Sequence, residues 1–302
     1  MNTTELIRKK RNKENLSKEE ISYLINNYTK GKIPDYQFSA FLMAVYFNGM
    51  SKEETSALTE AMLYSGKVLN LNSIPGIKID KDYSVYNEGI ANDYFCKRAD
   101  GPYMKGKVWP GECNFPDYTN PEVREWWAGL FKELVSEIGV KGVWNDMNEP
   151  AVMEVPTKTF PLDVRHNYDG NNCSHRKAHN VYGTQMARAT YEGVKRFAYP
   201  KRPFVITLSA YSGAQRYTSS WTGDNVATWE HLWIANIQMQ RMSIPGMGFT
   251  GSDIGGFAEQ PSAELYARWI QLGVFHPFCR THSSGHHGEQ EPWSFGEEVI
   301  DI

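Results

Sequence analysis

The sequence predicts an α/β fold, a parallel sheet built from βα units, preceded by a small all-helical segment. Three observations carry this. Residues 1–66 hold helix signals and little else; from Gly76 onward short β-rich apolar runs alternate with amphipathic stretches; and several of those runs end in a carboxylate. The expected domains are 1–75 and 76–302.

In the helical segment, Ser17 with Glu20 and Ser51 with Glu54 match the capping box, in which the Ser oxygen takes an orphan backbone N–H and the Glu returns the bond. Gly31, Gly49 and Gly66 stand where such helices stop, and Pro34 opens the third. Ile21, Leu24, Ile25 and Tyr28 fall on one face of the second helix. Phe38, Phe41, Leu42, Val45 and Tyr46 make the third apolar over a wide arc that calls for a cover. A unit this small has little core of its own, so it is expected to pack on another domain or subunit. Further on, the expected strands are GVWND at 142–146, FVITLS at 204–209, a short piece at SSWTGD, GMGFTGSD at 246–253 and GVFHPF at 273–278. The expected helices are 121–138, 178–197, 229–243 and 262–272. No internal repeat or low-complexity tract interrupts them.

Hydrophobic residues at 41%, charged residues at 22% and a formal net charge of -3 give no electrostatic reason to expect nucleic acid or an anionic membrane as partner. Aromatic residues reach 13%, with 9 Trp and 17 Tyr, which suits a carbohydrate cleft or simply a large core. Cys96, Cys113, Cys173 and Cys279 are widely spaced and are expected to be reduced thiols. The start MNTTELIRKKRNKE has no apolar stretch behind its basic residues, and no run approaches the roughly 18 apolar residues of a membrane helix, so a soluble, cytoplasmic protein is expected.

The chemistry lies at the strand ends. Asp146 follows GVWN, Asp224 follows WTG and Asp253 follows GFTGS. In a βα barrel the carboxyl ends of the strands converge on one face, so acids placed there become neighbours. Two-carboxylate sugar chemistry needs such neighbours. A glycosidic oxygen leaves only when protonated, and the developing oxocarbenium ion needs a negative group on its other face, about 5 to 5.5 Å from the acid in a retaining enzyme. Glu149, three residues after Asp146, reads as an orienting acid. His175 and His179, at i, i+4 spacing, and the group His282, His286 and His287 bring no further ligands, so no metal is expected.

WNDMNEP at 144–150 and WTGDN at 221–225, with VWPGECNFPDYTNP at 108–121, GSDIGGF at 251–257 and PFCRTHSSG at 277–285, resemble the motifs of glycoside hydrolase family 31 over about residues 76–302. The resemblance implies an incomplete (β/α)8 TIM-type barrel holding strands about three to eight. It implies retaining hydrolysis of α-glycosidic bonds, of the α-glucosidase type, with Asp146 as nucleophile and Asp224 as acid/base. It further implies that Arg280 and His282 bind sugar hydroxyls, that Asp253 holds cleft residues in place, and that Trp144, Met147, Trp221 and Phe257 line the first subsite, although core packing also suits Trp144, Trp221 and Phe257. No cofactor is implied, and the partner is an oligosaccharide or α-glucoside.

Two departures stand out. The family's strand carries an arginine between Thr and Ser where this chain has Leu208, and leucine donates no hydrogen bond to sugar or acid. If PGIKID at 75–80 ends the third strand, strands one and two are missing, and activity is expected to be impaired. In their place residues 1–81 resemble the amino-terminal helices of the pyrimidine and thymidine phosphorylase family, which implies a homodimer through those helices. The phosphate loop of that family is replaced by Asp82, Tyr83 and Ser84. Pyrimidine nucleoside phosphorolysis and a non-catalytic sugar-binding or dimerising role are the alternatives.

Overall fold

A computed structural model describes residues 1–65, 82–109 and 111–302. The chain divides into two compact units, Met1–Ile74 and Pro75–Ile302.

The first unit holds α1 (Thr3–Arg11), α2 (Lys18–Thr29), α3 (Asp35–Asn48) and α4 (Lys52–Tyr64). Both capping boxes form, Ser17 with Glu20 and Ser51 with Glu54. Pro34 is the N-cap of α3, and Gly49 ends that helix at a positive φ of 67°. Leu6, Leu16, Ile21, Leu24, Ile25, Ile33, Phe41, Ala57 and Ala61 make the core. The apolar arc of α3 is only partly used: Phe41 is buried, but Leu42 and Tyr46 are 50% and 80% exposed. Lys10 and Glu54, both 2% exposed, pair inside this core, with Lys10 Nζ 2.8 and 2.7 Å from the two carboxylate oxygens. Glu54 also accepts the Leu16 N–H at 2.8 Å, so its charge is met from two sides. The expected stop at Gly66 and the expected strand at 75–80 lie outside the described residues.

The second unit begins with α5 (Ser84–Ala91) and an antiparallel hairpin, β1 (Lys105–Val108) with β2 (Gly111–Asn114). α6 (Pro121–Gly129) is capped by Asn120 and opens on Pro121. The single helix expected over 121–138 is broken. A π-helical turn at Glu133–Ile138 follows and closes on Gly139 at φ 87°, a left-handed conformation that glycine adopts without steric cost. Then come β3 (Gly142–Asn145), a short hairpin of β4 (Arg165–His166) with β5 (Cys173–Ser174), and α7 (His175–Ala198). The rest is β6 (Phe204–Thr207), β7 (Ser219–Trp221), α8 (Trp229–Ser243), β8 (Thr250–Gly251), β9 (Asp253–Ile254), α9 (Ala263–Gly273), β10 (Arg280–Thr281) and α10 (Glu297–Ile300).

Strands β3, β6, β7 and β8 form one parallel sheet in that order. Only Ser252 separates β8 from β9, and β10 pairs with β9 in parallel, so the array continues to β10. Short parallel strands followed by helices are the pattern the alternation predicts.

The last strand is two residues long and later than expected. GVFHPF at 273–278 is not a strand: Gly273 is the last residue of α9, Val274 and Phe275 are exposed, and Pro277 has no N–H for a ladder. The Phe278 N–H does reach Thr250 O at 3.2 Å. Its carbonyl passes so close to β8 that a Cβ on Gly251 would sit 1.7 Å from Phe278 O, which makes glycine obligatory there.

Candidate active site

The parallel register brings the strand ends side by side. Asn145 pairs with Thr207, Thr207 with Ser220, Trp221 with Gly251, and Asp253 with Arg280. Asp146, Leu208, Asp224, Asp253 and Arg280 are therefore carried on neighbouring strands or the residues just beyond them. Hydrogen bonds then tie the loops together. The Asn148 side chain donates to Thr207 Oγ1 (2.7 Å) and Gly183 O (3.3 Å) and accepts the Ser209 N–H (3.0 Å), fixing the segment after Asp146 against β6 and α7. Asn225 Nδ2 donates to Asp253 O (3.1 Å), Phe257 N–H donates to Asn225 O (2.7 Å), and Ser284 N–H donates to Phe257 O (3.0 Å).

Asp146 and Asp224 both face solvent. The Asp146 carboxyl is pushed above its ordinary value, first by partial desolvation and then by Asp224, while the Met147 N–H, His282 and Arg280 pull it back. Desolvation also pushes the Asp224 carboxyl up. Met147, directly after Asp146, sits at φ 55°, a left-handed backbone that a side-chain-bearing residue holds at a cost of order 1–3 kcal/mol. Such strain concentrates at functional sites.

Asp253 is fully buried and is raised to about 7, because burial outweighs Arg280 and because Asp224 and Asp146 repel it. Arg280 Nη2 donates to Asp253 Oδ1 at 2.6 Å, while Asp253 Oδ2 has no hydrogen-bond partner among the described residues. The guanidinium also lies 5.4 Å from the Trp144 ring and 5.5 Å from the Trp221 ring. Trp144 meets Trp221 edge-on at 5.3 Å and His282 at 5.1 Å, and His282 lies 5.2 Å from Phe257. Trp221 is 2% exposed, so it supports the site from below, whereas Trp144 is 44% exposed and offers a face. Met147 borders a cavity of about 170 Å³ next to Asp146, lined also by Asn114, Phe115, Pro116, Tyr118 and Tyr182.

A model of the glycosyl hydrolases family 31 TIM-barrel domain matches residues 13–302. The chain belongs to glycosyl hydrolase family 31. It is 46% identical over 224 residues to alpha-glucosidase 2 of Bacillus thermoamyloliquefaciens, covering 74% of this chain and 28% of that one. It is 43% identical over 229 residues to human neutral alpha-glucosidase C, covering 75% and 25%. A crystal structure of glucosidase II alpha subunit superposes with a TM-score of 0.70 at 37% identity, over 75% of this chain and 25% of that one. The chain thus spans about a quarter of the length of these relatives.

Within this family frame the site residues fall into one group. Asp146, Asp224, Asp253, Arg280 and His282 act on one another electrostatically, and Trp144, Trp221 and Phe257 join them through ring contacts. Leu208 stands in the same place: its N–H donates to Asn145 O (3.0 Å), and its Cδ1 would be 3.3 Å from a Cβ on Gly223, the residue before Asp224. Glu149 is half-buried with Oε2 unpartnered among the described residues, and desolvation first, then Asp146 and Asp224, raise its carboxyl. Asn148 and Asn225, which fasten the loops, were not singled out from sequence. Their signal was their position, one inside WNDMNEP and one ending WTGDN.

Proposed function

We propose that this chain hydrolyses α-glycosidic bonds with retention, Asp146 attacking the anomeric carbon and Asp224 protonating the leaving oxygen. The observation that carries the reading is the placement of Asp146 and Asp224 at the carboxyl ends of strands of one parallel sheet, near enough for Asp224 to raise the Asp146 carboxyl, inside a frame made by Arg280, His282 and Trp144. Arg280 and His282 keep Asp146 from rising further, which suits a nucleophile, and no comparable cation pulls Asp224 down, which suits an acid. Asp253 holds Arg280 against the two tryptophans. The substrate class is an α-glucoside or oligosaccharide.

The reading extends to parts of the chain. The barrel is incomplete, residues 76–302 supplying strands about three to eight, and residues 1–75 are a separate helical domain akin to that of the nucleoside phosphorylases, with its exposed α3 residues suited to a homodimer. Leu208 and the missing strands lower the rate. Family membership disfavours phosphorolysis. Release of p-nitrophenol from its α-glucoside tests the proposal: the parent chain is expected to give a rate that Asp146→Asn lowers by about 10³-fold or more. A rate indifferent to that substitution rejects it.

A further inference from the structure

A buried polar chain lies outside the strand-end site. Asp117, in the segment after β2, has its Oδ1 3.0 Å from His166 Nδ1; His166 Nε2 is 2.9 Å from His175 Nδ1; and His175 Nε2 is 3.0 Å from His179 Nδ1. Asp117, His166 and His175 are buried, while His179 is half-exposed at the surface end. Thr119 donates its hydroxyl (2.6 Å) and N–H (3.2 Å) to Asp117 Oδ1, and the Asn167 N–H donates to Oδ2 (2.7 Å). Cys96 Sγ lies 3.8 Å from His166 Nδ1 and donates to Pro116 O. Cys96, Asp117 and His166 present ligand atoms within 4.8 Å of one another, but Asp117 Oδ1, the oxygen beside His166, already accepts twice from Thr119 and meets His166.

An ionised Asp117 only accepts, and this sets the direction of the whole chain. His166 donates through Nδ1 and accepts through Nε2, and His175 and His179 must then do the same. Burial pushes the Asp117 carboxyl up, but His166, Thr119 and Asn167 together bring it below its ordinary value. Burial above all holds His175 down at about 3, so it is neutral. Other titratable or charged groups on the elements packed around the chain include Cys96, Tyr118, Tyr182, Cys173, Tyr168, Arg176, Lys177, Arg165 and the Arg124–Asp169 ion pair. None of them interrupts the histidine sequence.

The chain clamps three elements: the segment after β2, the β4–β5 hairpin and the start of α7. Phe115, Pro116 and Tyr118 from the first of these, with Tyr182 of α7, line the cavity beside Asp146, and Tyr182 donates its hydroxyl to Pro116 O at 2.9 Å. We propose that Asp117, His166, His175 and His179 position this cavity wall, and that they do so in one proton order, every ring donating through Nδ1. Only acid strong enough to protonate Asp117, whose carboxyl lies below its ordinary value, reverses the order: a proton then enters at His179 Nε2, and the Nδ1 protons of His179, His175 and His166 pass inward to His175 Nε2, His166 Nε2 and Asp117 Oδ1. One proton is taken up, and Asp117 is left a neutral acid that holds Thr119 and Asn167 less strongly. The effect on turnover rests on the hydrolase reading; the proton order does not.

Long-range proton–nitrogen correlation on ring-labelled full chain at pH 7.5 reads the order directly. Neutral rings protonated at Nδ1 for His166, His175 and His179 are expected, and an Nε2–H or doubly protonated His166 or His175 overturns the proposal. His179→Asn keeps an N–H in the Nδ1 position, whereas His179→Leu removes it. Amide exchange protection of residues 166–175 is expected to stay within about twofold of the parent in the Asn variant and to fall about tenfold in the Leu variant, with KM for the aryl glucoside rising in the Leu variant alone. Equal protection in both variants, or lost protection with unchanged KM, overturns the positioning role. A preparation without an Asp146-dependent rate bears on the hydrolase reading only, and the tautomer and exchange readouts then decide.

Discussion

Leu208→Arg is expected to raise the rate of glucoside cleavage. Leu208 follows β6, its N–H is fastened to Asn145 O, and its Cδ1 lies over Gly223, so the side chain stands between the strand ends that carry Asp146 and Asp224. An arginine reaches three bonds further than leucine, toward Asp224, and brings a guanidinium to a place where two carboxyls now repel each other. A charge-assisted hydrogen bond formed in the transition state is worth roughly 1.5–3 kcal/mol, and each 1.36 kcal/mol is tenfold in rate. The half-buried setting of residue 208 favours the lower end, so the expected gain in kcat/KM is about tenfold. Aryl α-glucoside hydrolysis by the parent, Leu208→Arg and Leu208→Met, each with an Asp146→Asn partner, measures it. Methionine supplies length without charge. Equal kcat/KM for the Arg and Met variants refutes the electrostatic reasoning.

Other expectations concern the frame. Lys10→Met leaves the buried Glu54 without its cation, and the helical unit is expected to lose about 3–5 kcal/mol, only part of it recovered in Lys10→Met/Glu54→Leu, which also removes the capping box and the acceptor of the Leu16 N–H; denaturant melts followed by circular dichroism show whether it does. Gly251→Ala, which meets the Phe278 carbonyl, is expected to cost more than about 3 kcal/mol, while Gly248→Ala, with open space around it, stays within about 0.5 kcal/mol. Similar melting temperatures for the two variants would count against the close approach. Asp253, raised from 3.8 to about 7, stays protonated in the fold where the unfolded chain has ionised, so its stabilising contribution is complete below pH 3.8 and lost as pH rises through 7. A rise from 3.8 to about 7 is worth roughly 4 kcal/mol, so Asp253→Asn is expected to gain on the parent between pH 4 and pH 8; a gap that does not change with pH contradicts the assignment.

What was legible in the sequence was local or chemical. Ser17 with Glu20 and Ser51 with Glu54 announce their helices because capping needs only three residues of chain. The helix expected at 229–243 matches α8 to the residue, and the strand ends are legible because GVWND and WTGD place a carboxylate after apolar residues. What was missed depends on long-range contact. Two-residue strands such as β4, β5 and β10 have no periodicity to read, and GVFHPF carries a strand's composition while its backbone finishes a helix. The Lys10–Glu54 pair joins residues 44 apart, and the bond from His166 to Asp117 spans 49. Nothing in the spacing of those residues signals that they meet.

The measurement that tests the two-carboxylate account most directly is capture of the covalent intermediate. Incubation with 5-fluoro-α-glucosyl fluoride, followed by proteolysis and mass spectrometry, is expected to place the sugar on Asp146 in the peptide containing WNDMNEP, and to find no labelled peptide in Asp146→Asn. A sugar carried by Asp224, Glu149 or Asp253, or turnover of the reagent with no covalent adduct, would contradict it.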